Sequence, residues 1–516
     1  MTNDSDKNSR KPNSSSGGQS RHRPGGDSRN SSRGSDSRGS SSRGSDSRKG
    51  SAPGRSRSAV DRRPPAEAGE PARRAAYDVL HEVGAGGAYS HVALPTVLAD
   101  YELDPRDAAF VTDVVNGTLR HQITLDAVIA ACTDRPLAKL DPRVLDVLRI
   151  GAYQLLIADT DDYAAVNTSV NLARSVSGPG PVGLVNAVLR KVSTKTLDEW
   201  LPTVTSGKDA AQTRSITMSH PTWIVSALTD GLGRERAGEI DDLLATNNLP
   251  PKVTLVVRPG LADVDELLAA GATPAMYSPY GAIAPSGKLN AIDAVRQRRA
   301  GVQDEGSQLV AIALATAPVE GPESTWLDMC AGPGGKFALL AGLGAERDIS
   351  TVGLELHPHR AELIRRSTRD VPGAAGVVVG DGRQAPIRPG VDRVLLDVPC
   401  TGLGSLRRRP DLRHRRSPGD IPPLVQLQRE LLNAALDLVR DGGVVGYATC
   451  SPHIAETDLI ISSVRKKRSD VVVEDARDLF PGVPELGDGP YVRLWPHIHG
   501  TDGMFFALLR KRSLGD

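Results

Sequence analysis

"LLDVPCTG", residues 395 to 402, places Cys400 directly after Pro399 at the end of an apolar run, and "GYATCSPH" places Cys450 fifty residues later at the end of another. A thiolate held at a strand end can add to an electron-poor carbon, and such addition activates neighbouring atoms that are themselves poor nucleophiles. C5 of a pyrimidine is the clearest case. Addition of sulfur at C6 makes C5 enamine-like; after C5 has taken an electrophile, its proton leaves and the thiol is eliminated. Methylation of an exocyclic amino group needs no such help, and there the stretch runs Asp or Asn, Pro, Pro, aromatic. Here Cys400 stands at the aromatic position. The residues point to a pyrimidine C5 target, and they leave open which cysteine attacks.

These cysteines need strands to hold them. From about 300 to 512, apolar segments alternate with helical ones: "TWLDMCA", "STVGLEL", "AGVVVGD", "RVLLDVP", "GGVVGYATC" and "GMFFALLRK". Such alternation predicts a Rossmann-like α/β fold with an open, mostly parallel sheet and ligands at the C-terminal strand ends. "LDMCAGPGGKFALL" supplies a Gly-rich turn in which Gly332, Gly334 and Gly335 let backbone approach a ligand. Lys336 is followed by Phe337 rather than Ser or Thr, which excludes a nucleoside-triphosphate loop. A dinucleotide loop is nearer, since Glu355 stands about twenty residues on, where a carboxylate accepts ribose hydroxyls. S-adenosylmethionine carries that ribose too. Asp381 in "VVGDGR", suited to an adenine amino group, and Asp397 in "LLDVPC" equip two further strand ends. The series favours methyl transfer over hydride transfer, with an NAD-dependent dehydrogenase as the competing reading.

The 516 residues allow two to four domains of about 150 residues each. With 63 Lys and Arg against 62 Asp and Glu, net charge decides nothing, but local clusters can. Cys132, Cys330, Cys400 and Cys450 have neither metal-site nor disulfide spacing, so no metal and a reducing compartment are expected. No apolar run of about 18 residues and no apolar leader occur, which predicts a cytoplasmic protein with no membrane contact. Residues 1–70, rich in Ser, Arg and Gly with "SSRGSDSRGS" nearly repeated, predict a disordered tail. Helical periodicity covers 71–195: in "LDPRVLDVLRIGAYQLL", Asp141 can cap, Pro142 suits the first turn, and Val144, Leu145, Leu148, Ala152 and Leu155 share a face. A small α+β segment is expected over 212–300, ahead of the catalytic domain at 301–512. The basic run "RRRPDLRHRR" comes after the Pro-Cys motif and predicts RNA phosphate contacts at Arg407, Arg408, Arg409 and Arg413.

"DMCAGPGGK", "DVPCTGLGSLRRRPDLR", "YATCSPH" and "DGMFFALLRK" together resemble the RNA cytosine-C5 methyltransferase family. "VNGTLRHQITLD", "LRIGAYQLL", "AAVNTSVNLA" and "GLVNAVLRKV" resemble the NusB-type RNA-binding helical domain, apart from Thr168 where Glu is usual. The resemblance, from about 71 to 512, implies methylation of a cytidine in small-subunit (16S) rRNA with S-adenosylmethionine as cofactor. It assigns Cys450 as nucleophile and Cys400 to product release. It places cofactor contacts at Cys330, Ala331, Gly332, Pro333, Gly334, Gly335, Lys336, Glu355, Asp381 and Asp397, the last also catalytic and Lys336 also near RNA. Departures stand at Gly332 for Ala, Phe337 for Thr and His414 for an aromatic. Ribosomal RNA is the expected partner and a monomer the expected state. The alternatives are a tRNA cytosine-C5 methyltransferase and a non-enzymatic RNA-binding assembly factor.

Overall fold

A computed structural model describes residues 71–285, 287 and 289–513; the tail expected over 1–70 lies outside the described residues. The chain first forms a helical array: Pro71–Gly84, Ser90–Asp100, Pro105–Ala131, Pro142–Leu156, Asp162–Ser177, Val182–Val192 and Leu197–Thr205. Asp104, Asp141, Asp161 and Thr196 each accept a first-turn backbone N–H, and Pro105 and Pro142 start their helices where no N–H is needed. Val144, Leu148 and Ala152 are buried in the core, with Leu145 and Leu155 packed at its edge. Gly117 lets the helices Pro105–Ala131 and Pro142–Leu156 meet, because a Cβ there would lie 2.1 Å from the Tyr153 ring.

Three helices come next, Ala210–Thr217, Thr222–Arg236 and Ile240–Asn247. The last two bury Ile224, Leu228, Leu243 and Leu244 against Leu403, Leu406, Leu412 and Trp495 near the cysteine loops. Then β1 (Thr254–Val257), β2 (Thr273–Pro274), β3 (Gly281–Ile283) and β4 (Ala300–Val302) form an antiparallel sheet of order β2-β3-β1-β4. β4 crosses the boundary drawn at 300.

The large sheet contains β5 (Thr325–Asp328), β6 (Ser350–Glu355), β7 (Ala374–Val379), β8 (Val391–Asp397), β9 (Val439–Thr449), β10 (Val471–Glu474), β11 (Val492–Leu494) and β12 (Met504–Lys511). Its order is β10-β12-β9-β8-β5-β6-β7, with β11 also on β12. β5 to β9 pair in parallel, and β12 runs antiparallel to β9, β10 and β11. In β8 only Asp397 escapes full burial, as expected of a central parallel strand covered on both faces. Register sets Asp328 opposite Leu395 and Asp397 opposite Ala448, so the chemically equipped strand ends share one rim. Among the described residues no helix is long and apolar enough to cross a membrane.

One expectation is corrected. Arg413 is 1 % exposed and cannot reach RNA phosphate. Its guanidinium donates to the carbonyls of Arg120 (2.7 Å), Ser219 (3.1 Å) and Asn247 (2.8 Å) and to Asn248 Oδ1 (2.6 Å). The short helix that holds it beside the buried Leu412 turns the side chain inward, and a basic run carries no sign of which members face solvent. Arg413→Met should destabilise the protein by roughly 3 kcal/mol, because buried acceptors lose their donor. Equilibrium unfolding in urea checks this, and an unshifted midpoint would mean that water satisfies those carbonyls.

Candidate active site

The glycine turn links β5 to the helix Gly335–Ala345, and Gly334 adopts a left-handed backbone (φ 107°) that glycine reaches without steric cost. At Gly332 a Cβ would lie 2.1 Å from Glu355 Oε2 and 2.3 Å from Arg360 Nη2, so the missing side chain lets Glu355 fold onto the turn. Glu355 accepts the His357 N–H at 3.0 Å and lies 3.6 Å from Arg360. Asp381 is held by Arg383, whose hydrogen bonds keep its carboxyl below the usual range. The sequence reading missed Asp328. It is 1 % exposed, both carboxylate oxygens lack a protein side-chain partner, and burial together with the charge of Asp397 pushes it up to about 7. A strand-end Asp directly before the glycine turn was the available signal. A buried carboxylate of this kind beside an open backbone turn fits a ligand that brings its own cation, as S-adenosylmethionine does through its ammonium and sulfonium. Cys330 stays a neutral thiol, since burial pushes it up.

Cys400 Sγ and Cys450 Sγ lie 3.5 Å apart. Their contact splits their acidities: it lowers Cys450 and, with burial added, raises Cys400 far above the usual thiol range. Cys450 is thus the more acidic of the two sulfurs, and either can donate the S–H between them. Lys336 Nζ donates to Asp397 Oδ2 at 2.8 Å and to Ser307 Oγ at 3.2 Å. Burial alone would lower the ammonium, but Asp397 more than offsets it; at Cys450 the Asp397 charge opposes the thiolate and the Lys336 charge favours it.

Behind the sulfurs lies a carboxylate the sequence reading passed over. Glu456 is fully buried and accepts from Thr401 N (2.9 Å), Thr401 Oγ1 (2.5 Å), Ser451 Oγ (2.6 Å) and Gln428 Nε2 (3.1 Å). Thr401 is the neighbour of Cys400 and Ser451 of Cys450, so one side chain ties both cysteine loops. Gly404 N donates to the Cys450 carbonyl at 2.9 Å, and a Cβ on Gly404 would fall 2.9 Å from that oxygen and 1.9 Å from the Gly503 carbonyl oxygen. No spacing rule exposes Glu456; only the folded loops reveal its role.

Lys336, Asp397, Cys400 and Cys450 come together as a set, and Cys330 to Gly335, Glu355 and Asp381 line the adjacent strand ends. The expected RNA arginines separate. Arg408 is bound to Asp502, itself 1 % exposed, and Asp502 N donates to Asp304, whose carboxyl is pushed up to about 7 by burial and then by Asp502. Arg407 donates to the Gly500 carbonyl, and Arg409 stacks 5.5 Å over the Tyr89 ring. His414 Nε2 lies 2.9 Å from the Leu119 carbonyl oxygen. Among the described residues no group of three or more His, Cys, Asp or Glu could hold a metal ion.

Comparison with known proteins places this geometry in a family context. A family model described as 16S rRNA methyltransferase RsmB/F matches residues 313–510, and one for the NusB family matches 70–194. A Mycobacterium tuberculosis protein named as a methyltransferase, Rv1407, is 46% identical over 446 residues, covering 86% of this chain and 97% of the relative. The Pseudomonas putida ribosomal RNA small subunit methyltransferase B is 30% identical over 452 residues, covering 85% of this chain and 98% of its own length. The crystal structure of PH0851 shares the fold at a TM-score of 0.72, with 23% identity across 86% of this chain and 98% of that one.

Proposed function

The chain belongs to the 16S rRNA methyltransferase RsmB/F family, and from that premise we propose that it methylates C5 of a cytidine in small-subunit rRNA through a covalent Cys450–C6 adduct. The observation that carries this reading is the pair of sulfurs 3.5 Å apart at neighbouring strand ends, with Lys336 and Asp397 beside them. A family member that methylated a ready nucleophile would have no use for either thiol.

S-adenosylmethionine supplies the methyl group when bound. Asp328 would hold its cationic part, Glu355 its ribose hydroxyls and Asp381 its adenine amino group, and the turn from Cys330 to Lys336 would let it lie against backbone. Cys450 attacks C6 as thiolate and the C6=C5 electron pair moves so that C5 becomes nucleophilic. Asp397, steadied by Lys336, stands where the cytosine edge enters. Once C5 carries the methyl group, its proton passes to solvent water, the C5–H electrons re-form the C5=C6 double bond, and the C6–S bond breaks with its electron pair leaving on the Cys450 sulfur. Cys400, retained as a thiol, donates its S–H to that departing sulfur. The same hydrogen bond that favours the attacking thiolate also makes it a better leaving group. A non-enzymatic assembly role would leave these paired acidities without purpose.

The test is transfer of labelled methyl to small-subunit rRNA, with subsequent digestion to nucleosides. Label in 5-methylcytidine is expected; label in another nucleoside, or in tRNA alone, would overturn the proposal. Asp381→Ala and Glu355→Ala should each weaken S-adenosylmethionine binding about 10- to 100-fold, the loss of one charge-assisted hydrogen bond of about 1.5–3 kcal/mol. RNA affinity should hold. Calorimetry checks it, and unchanged cofactor affinity in both variants would move the pocket elsewhere.

A further inference from the structure

A second cleft, of about 210 Å³, lies between the small antiparallel sheet and the large one, lined by Arg258, Arg298, Arg299, Arg366, Ser367 and Asp370 among others. It is far from the cysteines. Arg366 and Ser367 occupy the last turn of the helix Pro358–Thr368, which leaves the C-terminal end of β6 and returns to the start of β7. The cleft therefore sits on the rim opposite Asp328, Glu355 and Asp397, about 15–20 Å away by helix rise and strand length.

The arginines here are not equally occupied. Arg299 is paired with Glu266 and Arg366 with Glu362. Arg258 and Arg298 have no carboxylate partner among the described residues. Arg258 Nη1 donates to the carbonyls of Arg298 (2.5 Å) and Ser367, and Arg298 Nη1 to that of Arg366 (3.3 Å). Burial, and then the charge of Arg298, push the Arg258 guanidinium below its usual range, and both guanidiniums are held only by backbone carbonyls. Arg298 also has a left-handed backbone (φ 61°), where glycine would fit without strain. A cation at a strained backbone position, beside a second cation with no carboxylate against it, suits an incoming anion. The acidic residue of the cleft, Asp370, does not bridge them.

We propose that this cleft is a phosphate site that takes a backbone phosphate of the RNA substrate outside the catalytic pocket, with the RNA passing around the β7 edge of the sheet. This rests on the RNA-methyltransferase reading above. Phosphate contacts position a nucleic acid without reading its sequence, and each contributes to the salt dependence of binding.

Arg298→Gly gives the test, since glycine relieves the backbone strain and the variant should fold at least as stably as the parent. RNA binding to the full chain, measured across a salt series, should weaken about three- to tenfold at 0.1 M salt, with the slope of log K against log salt smaller by about 1. Turnover at saturating RNA should be unchanged. Arg296→Gln, which removes an equal charge from an arginine already paired with Asp293 outside the cleft, should leave the slope within a few tenths. Equal effects of the two variants would mean diffuse attraction and overturn the site. An unchanged slope in Arg298→Gly, with inorganic phosphate protecting the wild type but not the variant from heat, would assign the cleft to a free phosphate ligand and overturn the RNA proposal. A wild type that binds and methylates RNA while Arg298→Gly behaves identically overturns this site alone; a wild type that does neither overturns the function it rests on.

Discussion

Cys400→Ala should trap an enzyme–RNA adduct that survives denaturing electrophoresis, whereas Cys450→Ala should give neither adduct nor 5-methylcytidine. The asymmetry follows from the roles proposed above for two sulfurs 3.5 Å apart, Cys450 the more acidic and attacking, Cys400 the less acidic and assisting release. Without Cys450 no bond to C6 forms and C5 is never activated, so product should fall to background. Without Cys400 the attack proceeds, but the sulfur that must leave has lost its hydrogen bond. The same loss sets a pH signature. Because the Cys400 contact, opposed by burial, holds Cys450 below the ordinary thiol range, its removal raises the pKa of Cys450. Less thiolate is then present at any given pH, and the rising limb of adduct formation in Cys400→Ala moves to higher pH. The double variant should form no adduct. An adduct that persists in Cys450→Ala and vanishes in Cys400→Ala would exchange the two roles.

Glu456→Ala should lower single-turnover methylation about 100-fold, the scale expected when reacting groups are misplaced by about 1 Å, while S-adenosylmethionine affinity changes less than about twofold. Four donors converge on this carboxylate, three of them from the two cysteine loops, and their release frees Cys400 from Cys450. Stability should fall by roughly 3 kcal/mol, since the donors stay buried. Glu456→Gln separates positioning from folding: it keeps the volume and one acceptor oxygen but turns an amide donor toward hydroxyls, and should recover most stability and only part of the rate. Full activity in either variant would show that the loops hold their spacing unaided.

The strand ends were readable because a parallel sheet forces its chemistry to one rim, so Asp397, Cys450, Glu355 and Asp381 could be located from short apolar runs and the polar residues that close them. The helical array was readable from caps and periodicity. β10 and β11 were not, being strands of 4 and 3 residues whose pairing partner, β12, lies elsewhere in the sequence. Asp328 was hidden by its neighbours: the glycines beside it drew the reading. Glu456 and Arg413 were illegible for a deeper reason, since each derives its role from partners in several segments. A carboxylate near the "TCSPH" stretch or an arginine among arginines looks like any solvated charge until the fold closes around it.

Arg413 has a consequence for how the chain folds. Its four acceptors belong to the helix Pro105–Ala131, to the turn before Thr222–Arg236 and to the end of Ile240–Asn247, while Arg413 itself issues from the loop after β8. That bonding shell is completed only when residues nearly three hundred positions apart have met. Segments that can be named separately along the sequence are thereby fused into one cooperative unit, and the cysteine loops inherit their rigidity from a helical array that contributes no atom to the chemistry.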